Sequence, residues 1–157
     1  MKKIIVLVLT LGLTISTNAQ QATEKQKVKT AIEQFFQGIH KGNMDFLKKT
    51  MHKEIKLQTT YTNKKGEKIL KTDNVEGLLK FAKSIKPTDD YFEKILSYKI
   101  LIDGNLASVW TPYEFYNKGK FSHCGVNSFQ LFNNNGNWEV IYLIDTRKRN
   151  GCNPTGK

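Results

Sequence analysis

Between Asn105 and Arg147 the chain carries three long stretches whose side chains alternate, LASVWTPYEFY, FSHCGVNSFQLF and WEVIYLIDTR. Only Asn117-Lys118-Gly119-Lys120 and Asn133-Asn134-Asn135-Gly136-Asn137 separate them. Links this short allow antiparallel hairpins alone, because a parallel return needs a crossover of a dozen residues or more. Lys94 to Ile102 alternates in the same way and joins the set through the Asp103-Gly104 turn. Four antiparallel strands therefore fill the C-terminal part of the chain, and whatever precedes them must cover one of their faces.

The preceding residues have the pattern to do so. Val28, Ala31, Ile32, Phe35 and Ile39 recur at helical spacing against a Lys/Glu/Gln face, with Phe36 widening the stripe. Thr23-Glu24-Lys25-Gln26 fits a capping box at the start of that helix, and Gly42 ends it. Asn43 caps a short second helix over Met44 to Met51, burying Phe46, Leu47 and Met51. Glu54 to Tyr61 alternates as a strand, Asn63 to Gly66 turns it, and Glu67 to Lys71 returns. Asp73-Asn74-Val75-Glu76 reads as a second capping box, opening a helix that buries Val75, Leu78, Leu79, Ala82 and Ile85 before Pro87 stops it. The order is helix, helix, strand pair, helix, four strands: an α+β domain.

The chain opens on Lys2-Lys3, an uncharged apolar run from Ile4 to Ile15, and Thr17-Asn18-Ala19. Those are the three parts of a secretory signal peptide over residues 1–19, with cleavage near Ala19. The apolar run is about a dozen residues where a span needs roughly twenty, so no transmembrane anchor is expected after processing. This makes the protein periplasmic or secreted, with one domain over 20–147 and a flexible basic tail over 148–157. Loss of Lys2 and Lys3 lowers the formal charge from +11 to +9. The excess lysines form a solvated face or draw anionic ligands, and no nucleic-acid motif accompanies them. Cys124 and Cys152 are the two cysteines. In an oxidising compartment they can pair, and with no His pair at ligand spacing a zinc site is not expected.

The helix order, Gly42-Asn43 before the second helix, the closing strand Gly136-Asn137-Trp138-Glu139-Val140, and the segments His123-Cys124-Gly125, Phe129-Gln130-Leu131-Phe132 and Ile144-Asp145-Thr146-Arg147 carry a resemblance. It covers about Thr23 to Arg147. The chain resembles the nuclear transport factor 2-like superfamily, in particular exported bacterial members of the SnoaL-like and lumazine-binding type. The resemblance implies a strongly curved sheet wrapped round helices, a cystatin-like cone with an internal cavity. The superfamily includes cyclases, steroid isomerases and a dehydratase besides non-catalytic domains, so the fold alone does not choose a function.

Strand alternation selects the residues of such a cavity. With Asn134-Asn135 as the loop, Leu131 opposes Trp138, Phe129 opposes Val140, Asn127 opposes Tyr142 and His123 opposes Thr146. Asn127, Tyr142 and His123 then share a face with Ala107, Val109, Thr111, Tyr113 and Phe115. His123 is the candidate general acid or base, and Thr111, Tyr113, Asn127 and Tyr142 are candidate ligand contacts. Asp145 and Glu114 fall on the outer face by this count, unless a one-residue bulge reverses them. No inward carboxylate is expected. His40 and His52, at helix ends, suit stabilisation by the helix dipole. Trp110, Pro112 and Tyr116 on the outer face could form a homodimer patch.

Neither a phosphate loop nor a nucleophile elbow is present, and no cofactor is expected. Three functions stay open: a domain binding a small organic or anionic molecule, a small enzyme using His123 with a cavity tyrosine, and an interaction module.

Overall fold

A computed structural model describes residues 2–155, without the side chains of residues 2–18 and Pro87. The export signal expected over residues 1–19 therefore lies, but for Ala19, outside the described side chains. Helix α1 (Lys2–His40) is followed by α2 (Met44–Thr50), the hairpin β1 (Met51–Thr62) and β2 (Lys68–Asp73), and α3 (Val75–Ser84). The rest is strand: β3 (Tyr91–Ile95), β4 (Lys99–Asp103), β5 (Leu106–Asn117), β6 (Lys120–Asn134) and β7 (Asn137–Arg147). All seven strands form one curved sheet in the order β2-β1-β7-β6-β5-β3, with β4 also on β5. Every pairing is antiparallel except β1 with β7, which runs parallel.

The apolar stripe of α1 is the centre of the core. Val28, Ile32 and Phe35 are fully buried, Ala31 and Ile39 nearly so. They pack on Leu57, Ala107, Val109, Phe129, Leu131 and Val140 from the inner face of the sheet. Full burial of each large side chain contributes about 1.5–3 kcal/mol. Helix α3 adds Ala82, and α2 adds Leu47, which lies so close to Gly38 that any side chain there would strike it.

Local chemistry sets the boundaries, with some departures from expectation. Asn43 Oδ1 accepts from Phe46 N at 3.1 Å and caps α2. Asn74, rather than Asp73, caps α3 by accepting from Glu76 N at 2.7 Å. The capping box expected at Thr23 does not form, because α1 continues through it. There the Thr23 hydroxyl donates back to the Ala19 carbonyl at 3.0 Å.

The single strand expected over Lys94–Ile102 is two strands, broken at Leu96-Ser97-Tyr98. Pro112 explains the break. Its carbonyl accepts from Leu96 N at 2.9 Å, but a proline has no N–H to return, so the ladder lapses opposite it. The last hairpin turns on Asn135 (φ 52°) and Gly136 (φ 90°), a left-handed pair that glycine makes possible. That places the loop one residue later than Asn134-Asn135.

After β7 the chain returns to the sheet. Lys148 and Cys124 exchange backbone hydrogen bonds at 2.8 and 3.0 Å, and Cys124 is joined to Cys152 with Cα atoms 6.0 Å apart. Thr155 then donates its N–H to Glu114 at 2.9 Å. Lys148, Cys152 and Thr155, in the segment expected to be a flexible tail, thus contact the outer face. Among the described residues no helix is long and apolar enough to cross a membrane.

Candidate functional site

The hollow of the sheet is incompletely filled by the helices. Between α1, α3 and the inner face lies a half-open cavity of about 630 Å³. Phe35, Phe36, Leu57, Leu78, Phe115 and Leu143 supply apolar wall, while the polar groups include Glu93, Tyr113, His123, Asn127, Asp145 and Arg147 from β3 and the C-terminal strands, and Gln58, Lys71 and Asp73 from β1 and β2.

Register accounts for the polar cluster. Thr59 of β1 pairs with Asp145 of β7, Asp145 with Asn127 of β6, and Asn127 with Thr111 of β5. One polar residue from each of four neighbouring strands therefore falls on the same rung. All four are at least nine-tenths buried. Asn127 donates Nδ2–H to Glu93 Oε1 at 2.7 Å. Tyr113 Oη lies 3.1 Å from Asp145 Oδ2 and 2.9 Å from the Thr146 carbonyl, and Arg147 Nε donates to Asp145 Oδ2 at 2.8 Å. The hydroxyls of Thr59 and Thr111 bond to no described protein group.

Gly125 makes the tyrosine's position possible. A Cβ at Gly125 would collide with the Thr146 backbone carbonyl and meet Tyr113 Cε1 at 2.9 Å. The absent side chain lets the Tyr113 ring lie over β6 and reach β7.

The electrostatics follow from enclosure. Glu93 is raised to about 8, chiefly because burial penalises its charged form, with Asp145 adding repulsion against the favourable bond from Asn127. Its carboxyl is thus protonated at neutral pH. Burial, then the charge of Asp145, raises the Tyr113 hydroxyl as well. His123 is lowered to about 4 by burial and by Arg147, so it is neutral. Its Nδ1 pairs with Ser122 Oγ at 3.1 Å, and its ring leans on Phe115 with centroids 5.0 Å apart. His40 also falls to about 4 through burial, stacked on Phe36 at 5.6 Å. Desolvation outweighs the helix-end field there, contrary to the dipole expectation.

Of the residues singled out in the sequence, Tyr113, Asn127 and His123 line the cavity together. Thr111 shares their face but is packed outside the lining. Tyr142 is a correction: it lies off the cavity, its hydroxyl on Gln58 Oε1. The cause is a bulge between Gln130 and Leu131, which leaves Ile141 unpaired. The later turn shifts the register by two and preserves parity. The bulge then adds one and reverses it, carrying Tyr142 out and Asp145 in. The expectation of no inward carboxyl is overturned twice, by Asp145 and by Glu93.

Glu93 left a trace in the sequence. Counted from Tyr91, alternation sets it between Tyr91 and Ile95 on one face, an acid flanked by apolar neighbours. Glu114 does face outward, where Tyr116 Oη (2.7 Å) and Thr155 bond it. Among the described residues no three metal-binding side chains come together.

Neither a protein-family model nor a curated protein matches the sequence. Solved structures do. An NTF2-like protein from Cytophaga hutchinsonii is 15% identical over 79% of this chain and 98% of its own, with a TM-score of 0.62. A candidate dehydratase of the NTF2-like family from Streptomyces avermitilis is 11% identical over 82% and 98%, at 0.60. An NTF2-like protein with a cystatin-like fold from Novosphingobium aromaticivorans is 8% identical over 88% and 90%, at 0.63. At such identities the likeness speaks for architecture alone, and on that level it agrees with the seven-stranded curved sheet and its covering helices. The chain has the NTF2-like, cystatin-like α+β fold.

Proposed function

We propose that this protein is a small-molecule-binding domain whose ligand occupies the cavity between α1 and the sheet. The observation that carries the reading is the convergence of Glu93, Asn127, Tyr113 and Asp145 in a half-open space of about 630 Å³ that also has apolar wall from Phe35, Phe36, Leu57 and Leu143. Apolar walls with a few placed polar groups are the usual form of an organic ligand site. The two acids there argue for a ligand that is uncharged beside them rather than anionic. Native mass spectrometry of protein purified from its own cell envelope tests the proposal. A retained organic molecule, lost on Phe36→Asp substitution, is expected. Binding of nothing under gentle ionisation, together with no thermal shift from apolar probe compounds, would remove it.

A second reading, a small proton-transfer enzyme, is favoured by Glu93. A carboxyl raised to about 8 beside an amide can exchange a proton near neutral pH, and it suits that role better than the neutral His123. Ligand-dependent exchange of carbon-bound hydrogen with deuterated water, abolished in Glu93→Gln, would mark that activity.

The placement of the protein belongs to the same proposal. Export with cleavage near Ala19 predicts a mature N-terminus at Gln20, read by intact mass of the envelope fraction. Leu101, Leu106 and Trp110 stand about half exposed or more on the outer sheet face, with Phe132 beside Leu106. A second copy would cover them there, and sedimentation of the native chain against Trp110→Glu measures whether it does.

A further inference from the structure

Buried polar atoms nearly always have a hydrogen-bond partner, so a cavity can be read by those left unpaired in its wall. Asp145 is only 8% exposed and Asn127 only 3%. Asp145 Oδ2 takes the contacts from Tyr113 Oη and Arg147 Nε, while its Oδ1 accepts from no described protein group. Asn127 gives Nδ2–H to Glu93, and its own Oδ1 likewise accepts from no described group. Among the described residues, the sealed side-chain atoms without a partner are the Thr59 and Thr111 hydroxyls. The free oxygens of Asp145 and Asn127 are thus not sealed, and they open on the cavity that both residues line.

Charge narrows what can meet them. Lys71, Asp73, Asp145 and Arg147 are the charged side chains of the lining, and they are already paired. Lys71 Nζ lies 2.5 Å from Asp73 Oδ1, and Arg147 Nε 2.8 Å from Asp145 Oδ2. Glu93, His40 and His123 are neutral at pH 7. The wall therefore balances to zero, and a charged ligand group would find no counter-ion without a partner.

What remains is a pattern of donors and acceptors. Asp145 and Asn127 are directly opposed on β7 and β6, where Cβ atoms stand about 4.5–5.5 Å apart. Two acceptors at that spacing suit the two N–H bonds of one NH2 group. A hydroxyl has a single hydrogen and cannot serve both, and an ammonium brings a charge. Glu93, bonded to Asn127 through Oε1, keeps its other oxygen and an O–H to give.

We infer that the polar group of the ligand is a neutral primary carboxamide, its NH2 donating to Asp145 and Asn127 and its carbonyl oxygen accepting from Glu93. This rests on the binding proposal above and names the chemistry of what is bound.

Four probes that share one apolar body test it by calorimetry on the native chain: 2-naphthamide, N,N-dimethyl-2-naphthamide, methyl 2-naphthoate and 2-naphthoate. The primary amide should bind tightest, about ten- to hundredfold over the dimethyl amide and the ester, which keep the carbonyl and lose both donors. Naphthoate, an anion without donors, should also fall below it. Asp145→Asn and Asn127→Leu each remove one side of the paired acceptors. In whichever of them circular dichroism shows to be folded, the preference for the primary amide should shrink.

Ester or dimethyl amide binding as well as the primary amide, naphthoate binding tighter, or an unchanged preference in a folded variant would overturn the carboxamide and leave the cavity as a binding site. Failure of all four to bind the native chain would overturn the binding proposal and the carboxamide with it.

Discussion

Replacing Glu93 by glutamine isolates the cost of holding a carboxyl in the wall of the cavity. Glutamine keeps the shape and an oxygen for Asn127 Nδ2, but cannot ionise. In the folded protein the carboxyl is raised to about 8, whereas in the unfolded chain it titrates near its ordinary value of 4.5. Between those values the fold holds a proton that the unfolded chain has released. Stability is therefore full below about pH 4.5, falls by about 1.4 kcal/mol per pH unit above it, and levels off past about pH 8. Taken alone that slope would remove about 5 kcal/mol. Solvent reaching the open cavity lessens the penalty on the charged form, so about 2–3 kcal/mol is the working figure.

Urea unfolding of the native chain and Glu93→Gln at pH 5, 6, 7 and 8 reads the difference directly, and titrations common to both cancel. The variant should match the native protein near pH 5 and exceed it by about 2–3 kcal/mol at pH 8, a gain of roughly 5–10 °C in melting temperature. A difference that stays flat across this range, or a variant less stable at pH 8, would refute the claim that this carboxyl is protonated in the fold.

Four further outcomes are expected. Tyr113→Phe removes a hydroxyl shared between Asp145 and the Thr146 carbonyl and should cost about 1–3 kcal/mol in urea unfolding, since a buried acceptor is left short of a donor. Gly125→Ala should cost more, about 3 kcal/mol or above, because the obstacle is the rigid backbone of β7, and circular dichroism should show lowered Tm or loss of fold. Thr111→Val replaces a fully buried hydroxyl that bonds to no described protein group, so the same assay should show no loss or a small gain. Reducing the Cys124–Cys152 bond, which closes a separation of 28 residues, should lower stability by about 3–4 kcal/mol on the chain-entropy account, and thiol labelling should be nil before reduction and reach two labels per chain after it.

The sequence announces the meander of β5, β6 and β7 because Gly-containing pairs punctuate regular alternation, and it announces α1 because five apolar residues keep one face. The phase of β7 is not announced. Val140-Ile141-Tyr142-Leu143-Ile144 is apolar on both faces, so alternation cannot say which side looks inward. The unpaired Ile141 belongs to the curvature of the whole sheet, and no residue at the site marks it. The same holds for the parallel match of β1 to β7, which depends on where the helices lie. The candidate site was legible where the strand kept its phase, at Tyr113, His123 and Asn127, and misread where it did not, at Tyr142 and Asp145.

The place of β7 in the sheet has a consequence for how the molecule comes into being. Its neighbours are β6, made just before it, and β1, made some eighty residues earlier. Until the final strand leaves the ribosome, the N-terminal hairpin has no plank to lie against. Maturation must therefore wait for the chain's end instead of proceeding piecemeal during synthesis. A polypeptide stopped before Asn137 would hold two disconnected fragments of a wall and no vessel.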